Sequence, residues 1–247
     1  MTDTSSYSII APYYDWIMEH VDYQYWADYI KKIFDRFSFY PHSILELGAG
    51  TCPFLKTGLY TPSDLVVLSD ISLKMLLHAG NGQKHHKVAT NMCIIPFQTL
   101  CFDLCLLVYD AFNYALTEDE ALHCLGEVHR ILNHGGVFIF DITMEQNSIQ
   151  FFYDTVDYEE REDCAVTRQS WYDEKKRIQH NNFIYFMKQA DGRYIRQEEY
   201  HLQRIYLLSE MQELINKTGF IMDGCFNDFT FDQAGEYSER VHFVLRK

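Results

Sequence analysis

Residues 43–52, S-I-L-E-L-G-A-G-T-C, carry the clearest chemical signal in the chain. An apolar strand runs here into a turn in which Gly48 and Gly50 let the backbone bend tightly and approach a ligand closely. A dinucleotide-binding fingerprint has a third glycine three positions after the second, and this chain has Pro53 there. Glu46, two residues before the first glycine, would repel a pyrophosphate. The turn therefore disfavours a nicotinamide-dependent oxidoreductase.

A second acidic residue, Asp70, follows Glu46 by 24 residues and ends the apolar run V-V-L-S-D. An acidic side chain at the carboxyl end of a strand can accept hydrogen bonds from both hydroxyls of a ribose. Together with a glycine turn one βα unit earlier, Asp70 predicts a ligand that contains a ribose but no pyrophosphate.

The elements that must position these residues follow an alternating pattern. Helical spacing of apolar residues runs from Tyr14 to Phe34, and a helix is predicted to begin near Phe54. A further helix begins T-E-D-E and ends before a Gly-Gly pair, at about 118–132. Strands are predicted at 43–47, 66–69, 87–90, 102–109 and 137–142. The alternation argues for a parallel sheet with right-handed crossovers.

The pattern changes to β structure from about residue 147 to residue 207. Three strands are predicted, at 164–172, 178–187 and 194–206, the last two separated by an Asp-Gly turn. A helix at 209–217 and two strands, at 220–225 and 241–245, complete the chain. The stretch 157–163, D-Y-E-E-R-E-D, is interpreted as a solvated acidic run that could also attract a cationic acceptor.

Over about 40–145, and again over 207–247, the chain resembles class I S-adenosylmethionine-dependent methyltransferases. The strings that carry the resemblance are E-L-G-A-G (46–50), S-D-I-S-L-K-M-L (69–76), F-D-L-C-L-L-V-Y-D-A-F-N-Y (102–114) and E-V-H-R-I-L-N-H-G-G-V-F-I-F-D-I (127–142). The resemblance implies a Rossmann-like α/β fold with a seven-stranded sheet whose last strand is antiparallel. It also implies methyl transfer from S-adenosylmethionine, which leaves S-adenosylhomocysteine.

A narrower resemblance concerns the Y-Y-D string at 13–15, the β insertion after strand five and R-Q-E-E-Y-H-L-Q-R-I-Y at 196–206. These features are similar to a bacterial subgroup that includes nucleotide-linked amino-sugar N,N-dimethyltransferases. The resemblance implies a cofactor-binding domain made of 1–146 and 207–247, in which 1–40 form a helical N-terminal cap. Residues 147–206 would then form an inserted antiparallel β subdomain that covers the acceptor site.

The resemblance also implies roles for individual residues. Glu46 would hold the amino group of the cofactor, directly or through water, and Asp70 would hold the ribose. Where the family has an aspartate followed by an apolar residue beside the adenine, this chain has Asn91 and Met92, and an asparagine oxygen can still accept a hydrogen bond. The complete expected cofactor set is Tyr14, Glu46, Leu47, Gly48, Ala49, Gly50, Asp70, Ile71, Met75, Asn91, Met92, Val108 and Tyr109.

A general base is needed only if the attacking atom of the acceptor carries a proton, because the methyl donor is already activated. The candidates are His201, Tyr200, Glu199 and Tyr14, of which we predict His201 and Tyr14 as catalytic residues. A lone histidine on a strand is more often a surface or core residue, and Tyr14 lies on an aromatic helical face that could simply pack. A non-catalytic protein that senses S-adenosylmethionine is the alternative function.

The insertion contains more aromatic residues than a small sheet needs for its own core. They are expected to form an acceptor pocket or a homodimer contact, with packing of the insertion onto the main sheet as the simpler interpretation. The residues are Trp171, Phe183, Tyr185, Tyr194 and Tyr200.

Composition limits the other partners. The 247 residues carry a net charge of −14, and so acidic a surface disfavours binding to nucleic acid. Seven cysteines without a C-x-x-C pair indicate reduced thiols in a cytoplasmic protein, and the His85-His86 pair is not expected to bind a metal. No signal peptide and no apolar run of transmembrane length is found, so no membrane association is expected. The expected partner is a small-molecule acceptor, with a homodimer left open.

Overall fold

The computed structural model describes residues 7, 9–78 and 85–247. Its strands are β1 (Ser43–Glu46), β2 (Leu65–Asp70), β3 (His86–Ala89), β4 (Phe102–Leu107), β5 (Leu132–Thr143), β6 (Asp154–Arg161), β7 (Cys164–Asp173), β8 (Ile178–Lys188), β9 (Tyr194–Arg204), β10 (Ile221–Asn227) and β11 (Arg240–Arg246). Its α-helices are α1 (Tyr14–Ile17), α2 (Tyr23–Arg36), α3 (Leu73–His78), α4 (Glu118–Ile131), α5 (Glu145–Phe151) and α6 (Leu208–Asn216).

Seven strands form one sheet in the order β10-β11-β5-β4-β1-β2-β3. The neighbours from β5 to β3 pair in parallel, and β11 pairs antiparallel with both β5 and β10. This confirms the predicted Rossmann-like sheet with an antiparallel last strand. Since β4, β1 and β2 are parallel neighbours, the loops that follow them meet at one edge of the sheet.

Helices cover both faces of this sheet, so its strands are apolar on both sides. On one face, alternate residues such as Leu45 and Phe138 pack against α4 and α6. On the other face, residues such as Ile44 and Leu104 pack against α2. The two apolar layers hold the sheet rigid while its loops remain free to form a site.

Two predicted helices differ from the structure. The periodic stretch from Tyr14 to Phe34 is divided, because Asp22 caps α2 by accepting a hydrogen bond of 2.9 Å from the Tyr25 N–H. The helix expected near Phe54 is only a 3-10 turn over Pro53–Lys56. Gly58, with a φ of +67°, follows shortly after and breaks the helical backbone. The start of α4 is as predicted, with a capping box at its first turn.

The insertion forms a separate antiparallel sheet of four strands, in the order β6-β7-β8-β9. The three strands predicted from the sequence are present, and the expectation of three in all is wrong because the acidic run 157–163 contributes to β6. The sequence pattern does not predict β6, because most of its side chains are charged. In the structure Asp157 lies opposite Arg168 of β7. Two antiparallel sheet faces result, one toward the main sheet and one away from it.

Hydrogen bonds around Asn113 fasten the insertion to the main sheet. The Asn113 amide donates to the carbonyl oxygens of Thr143 (3.1 Å) and Arg204 (2.7 Å), and its oxygen accepts from the Thr143 N–H at 3.0 Å. The Tyr206 hydroxyl donates to the Ala115 carbonyl. The ends of β5 and β9 are therefore held beside the loop that follows β4. None of the helices in the described parts of the chain is long and apolar enough to cross a membrane.

Candidate functional site

A cavity of about 960 Å³ lies at the carboxyl edge of β1, β2 and β4. On the opposite side the cavity is lined by residues 9–18, called here the N-terminal segment, by α5 and by one face of the inserted sheet. Ligand pockets commonly measure roughly 300–1,000 Å³, so this one has room for two small molecules. All thirteen residues expected to bind the cofactor border the cavity, and His201 borders it as well.

The glycine turn after β1 uses backbone conformations that few residues adopt. Gly48 and Gly50 have φ values of +62° and +54°, and Cys52 is left-handed too, at +59°. The Ala49 N–H donates to the Ser69 carbonyl at 2.8 Å, which ties the turn to β2. Glycine and asparagine adopt a left-handed backbone most readily, and in this chain Cys52 holds that conformation.

Asp70 links the glycine turn to the second strand. Its carboxylate accepts from the Gly50 N–H at 2.9 Å and from the Ser72 N–H at 2.8 Å. Burial raises the pKa of Asp70, and the backbone N–H donors oppose that rise. A carboxylate has more acceptor sites than these two bonds use, so Asp70 can still bind hydroxyl groups.

Glu46 lies buried at the end of β1. The Tyr60 hydroxyl donates to its carboxylate at 2.5 Å. Burial raises the pKa of Glu46 to about 7, with the Tyr60 hydrogen bond lowering it and Asp70 raising it further. A buried carboxyl in this position gains most from a cationic partner, such as the amino group of a ligand.

The opposite end of the cavity is bordered by Ile71, Met75, Asn91 and Met92. The Asn91 oxygen accepts from the Cys93 N–H at 2.8 Å, which uses one of its two lone pairs. One acceptor position thus remains for an adenine amino group, and the expected contact stays a prediction. The apolar side chains beside it can pack against a flat ring.

Val108 and Tyr109 border the middle of the cavity, where β4 ends. Tyr109 and the next residue, Asp110, have φ values of +65° and +51°, two consecutive left-handed residues without a glycine. The Tyr109 ring packs against Trp26 of α2, with ring centroids 5.4 Å apart. Such strained pairs persist only where the surrounding structure holds them, and they concentrate at functional sites.

Tyr14, on the short helix α1, faces the same cavity. Burial raises the pKa of Tyr14 well above its ordinary value, with neighbouring tyrosines and Asp110 adding to the effect. The hydroxyl is therefore neutral at physiological pH. It can donate or accept a hydrogen bond, whereas a role as a phenolate base is unfavourable.

His201 projects from β9 into the wall formed by the inserted sheet and is 3% exposed. Its ring lies against Tyr7 and Phe183, with centroid distances of 4.5 and 5.5 Å. Burial lowers the pKa of His201 to about 4, so the ring is neutral at physiological pH. Its Nε2 atom has no hydrogen-bond partner among the described residues.

The other two candidate bases are placed differently. Tyr200 is 48% exposed on the opposite face of β9 and packs there against Trp171, so its candidacy is wrong. The Glu199 carboxylate accepts from the backbone N–H groups of Ile9 (3.0 Å) and Ile10 (3.3 Å). Glu199 therefore holds the N-terminal segment against the inserted sheet and does not border the cavity.

The aromatic residues predicted in the insertion lie on two different faces of its sheet. Phe183 borders the cavity, and Tyr185 is buried beside Ile10. Trp171, Tyr194 and Tyr200 lie on or near the outer face and are partly exposed. Of these five aromatic residues Phe183 alone borders the cavity, so the acceptor pocket stays a prediction for Phe183 and the homodimer contact stays one for the exposed rings.

Sequence reasoning identified two polar residues of the cavity wall formed by the inserted sheet, Asp157 and Glu159 of the acidic run, and missed the others. All of them alternate along the strands on the face that carries Phe183 and His201, and the missed residues are Arg168, Gln179, Asn181 and Gln203. Period-two alternation was the available signal, but it does not say which face turns inward. Asp110 was missed although it directly follows Tyr109, an expected cofactor neighbour.

Asp110 belongs to a buried ionic cluster where the cavity meets the inserted sheet. Arg240 donates from Nη2 to Asp110 Oδ1 at 3.0 Å and also pairs with Asp141. The Gln203 amide donates to Asp110 Oδ2 at 2.6 Å, and the Asp110 N–H donates to Asp141 Oδ2 at 2.9 Å. The cluster thereby joins β4, β5, β9 and β11 under the cavity.

A metal site is not apparent in the part of the chain that the structure describes. No group of three or more His, Cys, Asp or Glu side chains is arranged there to hold an ion. His86 begins β3, and His85 precedes it. All seven cysteines are free thiols.

Comparison with known sequences gives a consistent result. Residues 45–140 match the profile of a family described as a methyltransferase domain. A Bacillus subtilis protein named "Putative methyltransferase YqeM" is 26% identical over 98% of this chain and 97% of its own length. A Geobacillus sp. (strain WCH70) protein of the same description is 25% identical over 98% of this chain and its entire length.

Comparison with solved structures shows the same fold. An S-adenosylmethionine-dependent methyltransferase from Clostridium acetobutylicum superposes with a TM-score of 0.81 at 21% identity, over 97% of this chain and 98% of that one. A sugar N-methyltransferase from Streptoalloteichus sp. superposes with a TM-score of 0.74 at 15% identity, over 94% and 91%. In both cases the match includes the inserted sheet as well as the main sheet, because it covers nearly all of this chain.

Proposed function

We propose, from the premise that residues 45–140 match a methyltransferase domain with the class I fold, that this protein transfers a methyl group from S-adenosylmethionine to a nitrogen or oxygen atom of a small molecule. One observation carries the proposal. The cavity continues without interruption from the thirteen expected cofactor residues to a second wall on the inserted sheet. A site for two small molecules is what a transfer reaction requires.

The residues present fit S-adenosylmethionine. At Gly48 a Cβ would lie 3.1 Å from the Ala111 Cβ, closer than ordinary contact and on a left-handed backbone, so the turn favours glycine at this position. Glu46 offers a carboxylate for a positively charged amino group, and Asp70 offers acceptor sites for ribose hydroxyls. The carboxylates would oppose a pyrophosphate, which argues against a dinucleotide in the same place.

When bound, this cofactor supplies a methyl group already activated by its sulfonium. The protein's part is then to align the acceptor and to exclude water. The N-terminal segment serves this purpose, because the two backbone hydrogen bonds from Ile9 and Ile10 to Glu199 keep it over the cavity. A hydrogen bond between the hydroxyls of Tyr7 and Tyr114 adds a second attachment.

His201 is the residue that we propose to receive a hydrogen bond, and then the proton, from the N–H or O–H of the acceptor. Burial lowers the pKa of His201 to about 4, which makes the ring a weak base but leaves it unprotonated, and its unpartnered Nε2 atom is free to accept a hydrogen bond. The proton therefore moves only as the attacking atom bonds to the methyl group, when its N–H or O–H becomes more acidic. Tyr14 would assist as a neutral hydrogen-bonding group. A non-catalytic sensor of the cofactor has no use for this second wall, so we favour the enzyme.

The proposal is tested first by binding. Isothermal titration calorimetry should show binding of S-adenosylhomocysteine and none of NAD. A panel of amines, amino sugars and hydroxy acids is then assayed with S-adenosylmethionine for release of S-adenosylhomocysteine. Failure to bind S-adenosylhomocysteine would remove the proposed function, and tight binding without turnover on any acceptor class would favour the sensor.

The role of His201 has its own test. In His201→Phe the ring remains but the nitrogen is lost, so turnover should fall by about 10²- to 10⁴-fold while cofactor affinity is kept. Tyr200→Phe, on the outer face of the same strand, is the matched control and should keep full turnover. Equal rates for the His201 variant and wild type would show that no proton passes through this residue.

A further inference from the structure

The ionic cluster under the acceptor side of the cavity is not electrically balanced. Asp110 and Asp141 share a single guanidinium, that of Arg240, so two carboxylates face one cation. Asp141 is fully buried behind Asp110, whereas Asp110 borders the cavity. Burial raises the pKa of both carboxyls and Arg240 lowers it, and of the two only Asp110 can be reached from the cavity, where a second cation would complete the pairing.

The carboxylate shares the cavity with four tyrosine rings. Tyr7, Tyr14, Tyr109 and Tyr114 all border it. Burial raises the pKa of Tyr14 and of Tyr114, and the charge of Asp110 raises both further. A carboxylate among aromatic faces is a setting that attracts ammonium groups, because the ring quadrupole and the negative charge act in the same direction.

The rest of the cavity wall is unsuited to an anion. Among its described residues, two guanidinium groups stand against six carboxylates, those of Glu46, Asp70, Asp110, Glu120, Asp157 and Glu159. Both guanidinium groups are occupied, since Arg168 pairs with Asp157 at 2.7 Å and Arg240 pairs within the cluster. A phosphate or carboxylate on the acceptor would enter a negative field without finding an unpaired cation.

We infer that Asp110 is the recognition site for an ammonium group of the methyl acceptor, and that this acceptor carries no phosphate. Arg240 and Gln203 act as positioning residues, because each holds one oxygen of the Asp110 carboxylate. This inference rests on the proposed function and narrows its acceptor to molecules that carry an ammonium group besides the nitrogen or oxygen that is methylated, because a protonated amine has no lone pair with which to attack the methyl group. It also separates this protein from enzymes that act on nucleotide-linked sugars, whose substrates carry phosphates.

Two substitutions at Asp110 are compatible with its left-handed backbone. Asparagine tolerates a left-handed conformation, and Asp110→Asn leaves Arg240 with a single carboxylate partner, which balances the cluster. We therefore expect Asp110→Asn to fold. Asp110→Gly removes the carboxylate by a second route, since glycine adopts a φ of +51° freely. Glu159→Gln is the control, a carboxylate on the wall of the same cavity that lies outside the cluster and does not pair with Arg168.

The test uses four probes of similar size on the full-length protein saturated with S-adenosylhomocysteine. They are benzylamine, benzyl alcohol, benzoate and phenyl phosphate, and calorimetry gives their dissociation constants. We expect wild type to bind benzylamine at least about 10-fold more tightly than the other three. Asp110→Asn and Asp110→Gly should reduce that preference to about threefold or less, and Glu159→Gln should retain it.

Three results would overturn the inference. They are a wild-type preference for benzyl alcohol, benzoate or phenyl phosphate, an unchanged amine preference in both Asp110 variants, and an equal loss of preference in Glu159→Gln. Each variant is first checked for its affinity for S-adenosylhomocysteine. Wild type that binds S-adenosylhomocysteine but shows no amine preference refutes this inference alone, whereas wild type that does not bind it refutes the proposed function.

Discussion

The two halves of the cavity are built in different ways. The cofactor side consists of loops that follow neighbouring parallel strands, and its shape depends on backbone conformations such as the left-handed Gly48 and Gly50. The acceptor side consists of side chains on alternate positions of antiparallel strands, joined by an N-terminal segment that reaches Glu199 across 190 residues of sequence. Changes on one side should therefore leave the other side largely intact.

The largest expected effect is on the cofactor side, at Gly48. In Gly48→Ala the new Cβ would lie 3.1 Å from the Ala111 Cβ and 3.4 Å from Leu107 Cδ1, in a left-handed backbone that costs a side chain about 1–2 kcal/mol. We expect affinity for S-adenosylhomocysteine, measured by calorimetry, to fall by about 100-fold or more.

Gly58→Ala is the matched control, because Gly58 has a similar φ of +67° and its Cβ would meet no atom within 4 Å. It should lose a comparable amount of stability and keep full affinity. If both variants lost affinity equally, strain in the chain and not the shape of the turn would be responsible.

The next effect in size is that of Asp70→Ala. The variant loses two backbone hydrogen bonds to a carboxylate and the expected contacts to ribose, and each hydrogen bond to a charged group is worth about 1.5–3 kcal/mol. Affinity for S-adenosylhomocysteine should fall by about 10- to 100-fold.

Asp103→Ala tests whether the loss of any carboxylate that bridges backbone N–H groups lowers the affinity for S-adenosylhomocysteine. Asp103 accepts from the backbone N–H groups of His42 (3.1 Å) and Ser43 (3.0 Å) at the opposite, amino edge of the same sheet. This control should lower the melting temperature and leave the affinity unchanged. A similar loss of affinity in the control would contradict the ribose assignment of Asp70.

The contrast between the two halves also decides what the sequence could reveal. Each cofactor motif is local, because a strand, its turn and the polar residue that ends it lie within about ten residues. The family resemblance therefore located the glycine turn, Asp70 and the end of β4 without knowledge of any distant contact. The seven-stranded sheet followed from the same alternation of elements.

The acceptor side could not be obtained in this way. Period-two alternation divides Tyr200 from His201, yet which of them faces the cavity depends on how β9 packs against the main sheet, a long-range property. The strand β6 was hidden for a related reason, since its charged side chains are stabilised by pairing with β7, as in Asp157 with Arg168. Arg240 gave no local signal, because its partners Asp110 and Asp141 lie about 100 residues or more away in sequence.

A smaller, pH-dependent effect is expected at Glu46, where stability and cofactor binding oppose each other. Its pKa is raised by burial to about 7, so the native state retains a proton that the unfolded chain loses near its ordinary pKa of 4.5. The contribution of Glu46 to stability therefore falls as pH rises from about 4.5 to 7. Glu46→Gln should stabilise the ligand-free protein by about 1–3 kcal/mol at pH 8 and have little effect at pH 4.5.

Thermal unfolding at the two pH values measures this difference, and calorimetry at pH 8 should show weaker binding of S-adenosylhomocysteine to Glu46→Gln. Glu159→Gln, an exposed carboxylate that borders the same cavity, is the control and should change neither quantity. A Glu46 variant that is less stable than wild type at pH 8 would show that the buried carboxylate is compensated in the native state.

The smallest expected effect lies on the acceptor side, where two adjacent residues of β8 face opposite ways. Asn181 borders the cavity and accepts a hydrogen bond of 2.7 Å from the Ser170 hydroxyl, whereas the Asn182 amide donates to Glu198 on the outer face at 2.8 Å. With an acceptor identified by the panel, Asn181→Ala should raise its KM by about 5- to 10-fold, the equivalent of one neutral hydrogen bond. Asn182→Ala should leave KM unchanged, and both variants should bind S-adenosylhomocysteine like wild type. A rise in KM for Asn182→Ala equal to that for Asn181→Ala would mean that the inserted sheet acts through its overall stability. A rise confined to Asn181→Ala would show instead that the Asn181 side chain, on the inner face of the inserted sheet, contacts the acceptor.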